Sequence, residues 1–287
     1  MGMIREAGPQ DAIALAAFLE RHIETSMFLL GNLDRHGIGN TDHPHGTRYV
    51  LREAPGGITG VFGRTNDGFL MCQLPALSTP EARAYALLLQ GYTLRGMTGV
   101  PDQVAQILAA LPVPPEAWQV NRIEPLFALE LAALAARAAT IRAPEAKDLP
   151  LLTGWFADHM ADTGTHTAEA AVAAAPDRAR ADIAAGNIRL FLDDHGTPVA
   201  MTAINARAGS AVQIGGVFVP RDRRGKGLAG RAVAAHLATL RDQGITRAIL
   251  FAASEAAARA YTRIGFERIG DYRLALLKHP MTLEFPT

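Results

Sequence analysis

A repeat of 137 residues is the sequence feature that most constrains the fold of this chain. Five residue positions recur with that constant spacing, and the chain is 287 residues long. The matching pairs are Ile4 and Ile141, Arg5 and Arg142, Asp11 and Asp148, Leu15 and Leu152, and His22 and His159. Because the spacing is close to half the chain length, we predict a duplication, with one domain at residues 1–136 and a second at 137–287.

Each copy of the repeat opens with the pattern of a short strand, a turn and an amphipathic helix. Pro9 and Pro144 mark the turns, and the helices are predicted to begin near Asp11 and Asp148. An aspartate suits that position because its carboxylate accepts backbone N–H groups at a helix start and favours the positive end of the dipole.

The residue pattern beyond these openings predicts a mixed α/β fold, of the α+β type. In the first half, alternating apolar residues predict strands at 48–53, 58–64 and 69–74. In the second half we predict strands at 188–193, 199–206, 211–219, 247–252 and 272–277, and helices at 228–241 and 254–263. Such an order favours a mostly antiparallel sheet flanked by helices.

Composition excludes several classes of protein. Hydrophobic residues make up 49% of the chain and charged residues 20%, which is enough apolar surface for a folded core. Basic and acidic residues number 28 each, so the formal net charge is zero. Partners that require a basic excess, namely nucleic acid and anionic membrane surfaces, are therefore not expected.

The single cysteine and the absence of a long apolar run indicate a cytoplasmic setting. Cys72 stands alone and cannot form an intramolecular disulfide, and its apolar neighbours predict a core position. The chain starts without the apolar segment of a signal peptide, and it contains no 18-residue uncharged apolar stretch.

The segment 219–230 carries the strongest chemical signal. It combines a strand end at Val219, three glycines and four cationic side chains, and it opens a long helix. Backbone N–H groups at a helix N-terminus attract anions, glycine allows a ligand to approach closely, and Arg or Lys adds positive charge. We therefore predict an anion site, suited to a diphosphate.

A dinucleotide site is one interpretation of this loop, because Gly225, Gly227 and Gly230 match the G-x-G-x-x-G pattern. Five residues, however, separate Val219 from Gly225, where a Rossmann loop follows its strand directly. No Asp or Glu lies within 244–251 to bind a ribose hydroxyl. An NAD-binding oxidoreductase is therefore the least favoured alternative.

The same loop resembles motif A of the GNAT superfamily of acetyl-CoA-dependent N-acyltransferases, whose pattern is [Q/R]-x-x-G-x-[G/A]. The matching residues are Arg224, Gly225, Lys226, Gly227, Leu228 and Ala229. Downstream, Ala257, Tyr261 and Gly265-Phe266 resemble the family's A-x-x-x-Y-x-x-x-G-F signature. The resemblance covers residues from about 140 to the end. The repeat extends it to the first half, so that the chain is predicted to contain two tandem GNAT-like domains.

The resemblance implies roles for named residues. Backbone amides from Arg224 to Ala229 would hold the pyrophosphate of acetyl-CoA, and the strand residues Val217, Phe218 and Val219 would bind the pantetheine arm. The Val217 N–H would polarise the thioester carbonyl. Tyr261 would protonate the departing thiolate, since a phenol stays protonated at neutral pH. Ser254 stands where the family often has Asn, and its hydroxyl would cap the helix or bind CoA. No metal is implied.

Three further observations limit the functional assignment. Gln213 lies where some members carry a glutamate base, and an amide cannot accept that proton; His159 and His166 are weaker candidates for the base. Residues 74–81 of the first half lack the glycine loop, so we interpret that half as a degenerate partner domain. The motif Asp42-His43-Pro44-His45 is interpreted as a solvated loop, because no further metal ligand has convincing spacing.

The sequence therefore predicts an N-acetyltransferase that acts on an amine of a small molecule or a peptide N-terminus. The main alternative is a non-enzymatic sensor, which binds acyl-CoA at the same loop without transferring the acyl group.

Overall fold

The computed structural model describes residues 3–134 and 139–285. The chain forms two compact units. The first unit runs to Glu124 and includes the chain from Asp271 onward, and the second unit is Pro125–Gly270. The domain boundary predicted between residues 136 and 137 lies outside the described residues and stays a prediction.

The first half of the chain contains strands and helices in a β-α-α-β-β-β-α-β-α-β order. Their bounds are β1 (Met3–Glu6), α1 (Ala12–Glu20), α2 (Ile23–His36), β2 (Thr47–Ala54), β3 (Gly57–Thr65), β4 (Phe69–Gln73), α3 (Thr79–Leu87), β5 (Thr93–Gly99), α4 (Pro101–Ala110) and β6 (Trp118–Glu130).

The second half repeats that order. Its elements are β7 (Ile141–Arg142), α5 (Leu149–Asp162), α6 (Ala168–Ala184), β8 (Ile188–Leu192), β9 (Pro198–Ala208), β10 (Ala211–Phe218), α7 (Leu228–Asp242), β11 (Arg247–Phe251), α8 (Glu255–Thr262) and β12 (Glu267–Thr282). The predicted strands and helices agree with these bounds within a few residues, except that β12 is much longer. The sequence pattern gave no sign of α2, α3, α4 and α6.

The sheets of both units are mostly antiparallel, as predicted. The strand order is β1-β2-β3-β4-β5-β12 in the first unit and β6-β11-β10-β9-β8-β7 in the second. Only the pairs β4–β5 and β10–β11 are parallel among those described within each unit. Residues Leu126–Glu130 of β6 pair with β11, and Arg273–Leu276 of β12 pair with β5. Each repeat therefore contributes its last strand to the sheet of the other unit.

An equivalent ion pair occurs in the opening of each repeat. Arg5 donates two hydrogen bonds to Asp11, at 2.7 and 2.8 Å, and Arg142 donates two to Asp148, at 2.6 and 2.9 Å. The predicted role of these aspartates as side-chain caps of α1 and α5 is wrong. Their carboxylates instead accept the backbone N–H three residues earlier, because each helix is preceded by a short 3₁₀ turn.

Each unit buries its own apolar core. In the first unit, side chains of β3 and β4 pack against α3 and α4, and Cys72 lies in this core as predicted. In the second unit, one face of the sheet packs against α7 and α8 and the other against α5 and α6. Among the described residues, no helix combines the length and the apolar composition that crossing a bilayer requires.

Candidate functional site

The parallel strands β10 and β11 separate at their carboxyl ends. They pair from Ala211 to Ile214, but β10 continues to Phe218. A bulge against β9 then interrupts the register between Gly215 and Phe218, and Gly216 adopts a left-handed φ of +56° there. Val217 thus has no register partner in β9 or in β11. Its backbone can pair with a ligand, at the edge where open α/β sheets bind ligands.

The loop after β10 ends at an uncapped helix. A short 3₁₀ turn (Arg221–Arg223) leads to Gly225 and Gly227, whose φ angles are +79° and +69°. Gly227 is the N-cap of α7, with no side chain to cap it. A Cβ at either glycine would meet no other atom within 4 Å, so the loop surface is open. The first N–H groups of α7 have no intrahelical acceptor and can bind an anion there.

Two arginines of the loop bind one carboxylate at the end of α5. Arg221 and Arg224 donate to the two oxygens of Asp162, at 2.7 and 2.5 Å. The hydrogen bond from Arg224, followed by that from Arg221, lowers the pKa of Asp162 despite its partial burial. Arg224 also donates to the Val219 carbonyl at 2.9 Å, and its guanidinium lies 5.7 Å from the centre of the Phe218 ring.

These contacts change the predicted role of Arg224. Its side chain orders the loop, and its backbone N–H points to the Arg221 carbonyl at 3.4 Å. The amides offered to an anion therefore begin at Gly225. Lys226 is exposed on the same loop and adds positive charge.

Tyr261 lies in α8, next to the helix that the loop opens. The two helices approach closely at Gly230, where a Cβ would lie 3.0 Å from the Ala260 carbonyl oxygen. Tyr261 is buried in the core cluster against which Val217 packs. Within the described residues its hydroxyl has no hydrogen-bond partner, and burial raises its pKa. The phenol is thus protonated at neutral pH and free to donate.

The side chains of the remaining predicted cofactor-binding residues pack in the core or cap a helix, so that these residues offer mainly their backbone to a ligand. Phe218 is buried against Trp155, while Val219 and Leu228 pack against the core cluster that contains Phe191. Ser254 caps α8 by accepting the Ala257 N–H at 3.2 Å. Its hydroxyl proton is not used in that bond.

Gln213, which stands where some family members carry a base, and the two histidines named as candidate bases have different surroundings. Gln213 is buried and donates to the Ile214 carbonyl at 2.8 Å, and its Oε1 has no partner in the described chain. Burial lowers the pKa of His159 to about 4. His166 lies 3.2 Å from the Thr165 hydroxyl.

The corresponding helix start in the first unit is filled by the protein itself. Ser78 and Glu81 form a capping box at α3, in which Glu81 accepts the Ser78 N–H at 2.9 Å. Buried Arg52 lies 3.3 Å from Glu81 and donates to the Pro75 carbonyl. A carboxylate of the chain thus occupies the position where α7 leaves room for an external anion.

Sequence reasoning missed three of these residues, namely Ser78, Glu81 and Asp162. The S-x-x-E spacing of Ser78 and Glu81 is a recognisable capping-box signal and could have predicted the closed helix start. Asp162 has no such signal, because it lies about 60 positions from the arginines that it binds.

Residues 154–266 match the model of the acetyltransferase (GNAT) family. A search of curated protein sequences finds no match.

Solved structures resemble the whole chain. An acetyltransferase from the GNAT family of Colwellia psychrerythraea has a TM-score of 0.50 at 14% identity, over 99% of this chain and 100% of that one. A GCN5-related N-acetyltransferase from Kribbella flavida has a TM-score of 0.54 at 18% identity, over 92% and 96%. One from Sphaerobacter thermophilus has 0.54 at 16%, over 99% and 97%. With the repeated element order, this likeness establishes two GNAT-like folds in tandem.

Proposed function

Residues 154–266 belong to the GNAT family of acetyltransferases, and we propose that the second unit transfers an acetyl group from acetyl-CoA to an amine of a small molecule or a peptide N-terminus. One observation carries the proposal. The uncapped helix start at Gly227 lies beyond the carboxyl end of β10, beside the opening between β10 and β11.

The loop fits a pyrophosphate. A Cβ at Gly225 or at Gly227 would meet no other atom within 4 Å, so the loop is open beside these two left-handed glycines. One helix N-terminus contributes about 0.3–2 kcal/mol to a bound anion, and a diphosphate makes several contacts at once. Lys226 adds a cation. Arg221 and Arg224 share the single carboxylate of Asp162, so one of their two positive charges is compensated within the protein. Binding therefore relies on the backbone and on Lys226 more than the count of four cations in the loop suggests.

The reacting groups of the chain are Val217 and Tyr261. Acetyl-CoA, when bound, supplies an acetyl group on a thioester whose thiol is the leaving group. The Val217 N–H, which no neighbouring strand uses in the register, would donate to the carbonyl oxygen and stabilise negative charge there. The Tyr261 hydroxyl would donate its proton to the sulfur as the C–S bond breaks, and the proton that the amine nitrogen loses as the C–N bond forms would restore the phenol. The raised pKa of Tyr261 keeps it protonated at neutral pH, so that it is available as a donor and not as a base.

Gln213 stands where a carboxylate base would be, and the pKa of the buried His159 is lowered. Both observations restrict the class of amine that can serve as acceptor. At pH 7.5 an α-amine with a pKa of about 7.8 is about one-third neutral, whereas a lysine amine with a pKa of about 10.4 is about 0.1% neutral. An amine that needs no help to lose its proton suits Gln213 in place of a carboxylate. We propose a low-pKa amine as substrate, in the cytoplasm that a lone buried cysteine favours.

The competing proposal, an acyl-CoA sensor, predicts binding without reaction. Purified protein is incubated with acetyl-CoA and a panel of α-amines, aminated sugars and lysine peptides, and the release of free thiol is followed. Amine-dependent thiol release with a stoichiometric acetylated product supports the transferase. Stabilisation by CoA with no turnover on any amine would favour the sensor, and stabilisation by NADH alone would revive the dinucleotide site.

A further inference from the structure

Three histidines converge in the first unit, whereas the glycine loop belongs to the second. His36 is the last residue of α2, and His43 and His45 lie in the following loop, residues 37–46. One ligand atom from each of the three lies within 4.8 Å of the other two. The His36 and His43 rings stack with centres 4.0 Å apart, and the His45 ring lies edge-on to His43 at 5.4 Å. The sequence motif contains only His43 and His45, and the fold brings His36 beside them.

The loop that carries these residues is held by hydrogen bonds. The Asn40 side chain accepts the N–H groups of Asp42 and His43, at 2.9 and 3.1 Å. Asn66, from the turn after β3, donates to the carbonyls of Asn40 and His43, at 2.8 and 2.7 Å. Because these bonds hold the backbone from Asn40 to His43, that part of the loop is placed before any ligand binds. Preorganisation of this kind is what a metal site requires.

The repeat shows that this loop is an addition to the fold. In the second half, the corresponding connection from α6 to β8 consists of Ala185, Gly186 and Asn187 alone. In the first half ten residues join α2 to β2. Three residues are therefore enough for this connection in the repeated fold. The longer loop, which carries His43 and His45, is not needed to connect the helix to the strand.

We propose that His36, His43 and His45 bind a divalent transition-metal ion, with Zn²⁺ as its best probe. Three imidazoles are a donor set that Zn²⁺, Cu²⁺ and Ni²⁺ accept and that Mg²⁺ and Ca²⁺ do not favour. With Zn–N bonds of about 2.0–2.1 Å, tetrahedral ligand atoms stand about 3.3 Å apart. Because His43 and His45 are exposed, rotation of their side chains can bring the three rings from their present separation to that distance. Water completes the coordination.

Binding requires a change at His43. Its Nδ1 now accepts the backbone N–H of His45 at 3.1 Å. A neutral imidazole that binds metal through Nε2 carries its proton on Nδ1 and cannot accept that bond. The ring therefore turns when the ion binds, which also breaks the stacking on His36. The His45 amide is the backbone group whose surroundings change most.

The test uses full-length protein freed of any histidine tag and stripped with a chelator. Zn²⁺ is titrated in competition with a chromophoric chelator, without acetyl-CoA, and Co²⁺ absorption reports the ligand set. We expect one ion per chain and a tetrahedral Co²⁺ spectrum. Each of His36→Ala, His43→Ala and His45→Ala should weaken Zn²⁺ binding by at least about a hundredfold, since even loss of an outer-shell partner costs 10–100-fold.

His195→Ala is the matched control, because His195 is exposed in a turn of the second unit and should leave Zn²⁺ binding unchanged. Circular dichroism of each variant separates loss of a ligand from loss of fold, and His43→Gln provides a second, polar replacement. Absence of stoichiometric binding in the parent protein would overturn the proposal. So would binding of undiminished affinity when all three histidines are replaced.

Discussion

Arg224 donates a 2.5 Å hydrogen bond to Asp162, and the same carboxylate also accepts Arg221. The residue that the family pattern places first in the phosphate loop is thus tied to the end of α5. In the proposed function the roles within the loop therefore differ: the arginines hold the loop in place, and the glycine amides and Lys226 would bind the anion.

Replacing Asp162 by Asn tests whether this contact orders the loop. Two effects oppose each other: removal of a negative charge favours an anion, and loss of the contact costs the loop its order. Because the backbone amides are proposed to bind the anion, we expect the loss of loop order to have the larger effect. KM for acetyl-CoA should rise about fivefold, which is equivalent to about 1 kcal/mol for a half-exposed ion pair. The turnover number should not change.

The control for Asp162→Asn is Asp177→Asn, which makes the same charge change on exposed α6. Steady-state kinetics in acetyl-CoA at fixed amine measures both variants. A KM lower than that of the parent protein would show that Asp162 acts by charge alone.

Gly227→Val should abolish stabilisation by CoA. A β-branched residue in the left-handed region costs about 1–2 kcal/mol, and its side chain would stand where the phosphate must approach. Gly196→Val is the matched control, since Gly196 has a φ of +76° and an equally open Cβ position in a turn. Differential scanning fluorimetry should show similar losses of Tm for both without ligand, and a CoA-induced shift for Gly196→Val alone. Equal shifts in both variants would mean that the phosphate binds elsewhere.

Tyr261→Phe should lower kcat about a hundredfold or more and leave KM for acetyl-CoA nearly unchanged, as expected when a general acid is removed. Stability should be little affected, because the hydroxyl has no partner in the described chain to lose. Tyr85→Phe in the first unit is the control: Tyr85 is also a buried tyrosine whose hydroxyl is unpaired. A Tyr261→Phe enzyme with parental kcat would remove the acid from the mechanism.

Acid sensitivity should reveal the ion pairs at the start of each repeat. The hydrogen bond from Arg5, followed by that from the Gly8 N–H, lowers the pKa of Asp11 to about 2, against about 3.9 in an unfolded chain. A carboxylate with a lowered pKa stabilises the fold above its unfolded pKa, and that stability is lost as the pH falls through the folded one.

Asp11→Asn should therefore destabilise the protein by a constant amount above about pH 5, and the difference should shrink between about pH 4 and pH 2. Urea unfolding of parent and variant across that range measures it. Asp148→Asn, the counterpart in the second repeat, should behave alike because Arg142 lowers the pKa of Asp148. A difference that persists undiminished at pH 2 would contradict this account.

Local sequence signals predicted the elements that carry the site. Strands β8 to β11 and helices α7 and α8 follow from alternation, apolar spacing and the glycine loop, all of which act over a few residues. Helix α6 was not predicted because its buried face is made largely of alanines, namely Ala171, Ala175 and Ala179. Alanines also occur on the exposed face, so the helical periodicity is weak. Helix α3 was not predicted, although the Thr and Pro at its start suit a first helical turn.

The long-range contacts of the site could not be predicted. Asp162 meets Arg224 only after α5 has packed against the sheet, and His36 meets His43 only because α2 ends beside the loop. No local pattern encodes such distances. The exchange of last strands is also non-local, because β6 and β12 have ordinary strand sequences that do not specify their neighbours.

That exchange yields a prediction about fragments. Residues 137–287 form the predicted second domain, but they lack Phe127, Leu129 and Leu131, which are buried in the core of the second unit. Each such loss costs about 2–5 kcal/mol, enough together to exceed the stability of a domain of this size. They also lack the strand that pairs with β11. The fragment 125–270 retains both, and should unfold cooperatively and be stabilised by CoA, whereas 137–287 should not fold. Circular dichroism melts with and without CoA compare the two, and a cooperative melt of 137–287 equal to that of 125–270 would show that β6 is dispensable.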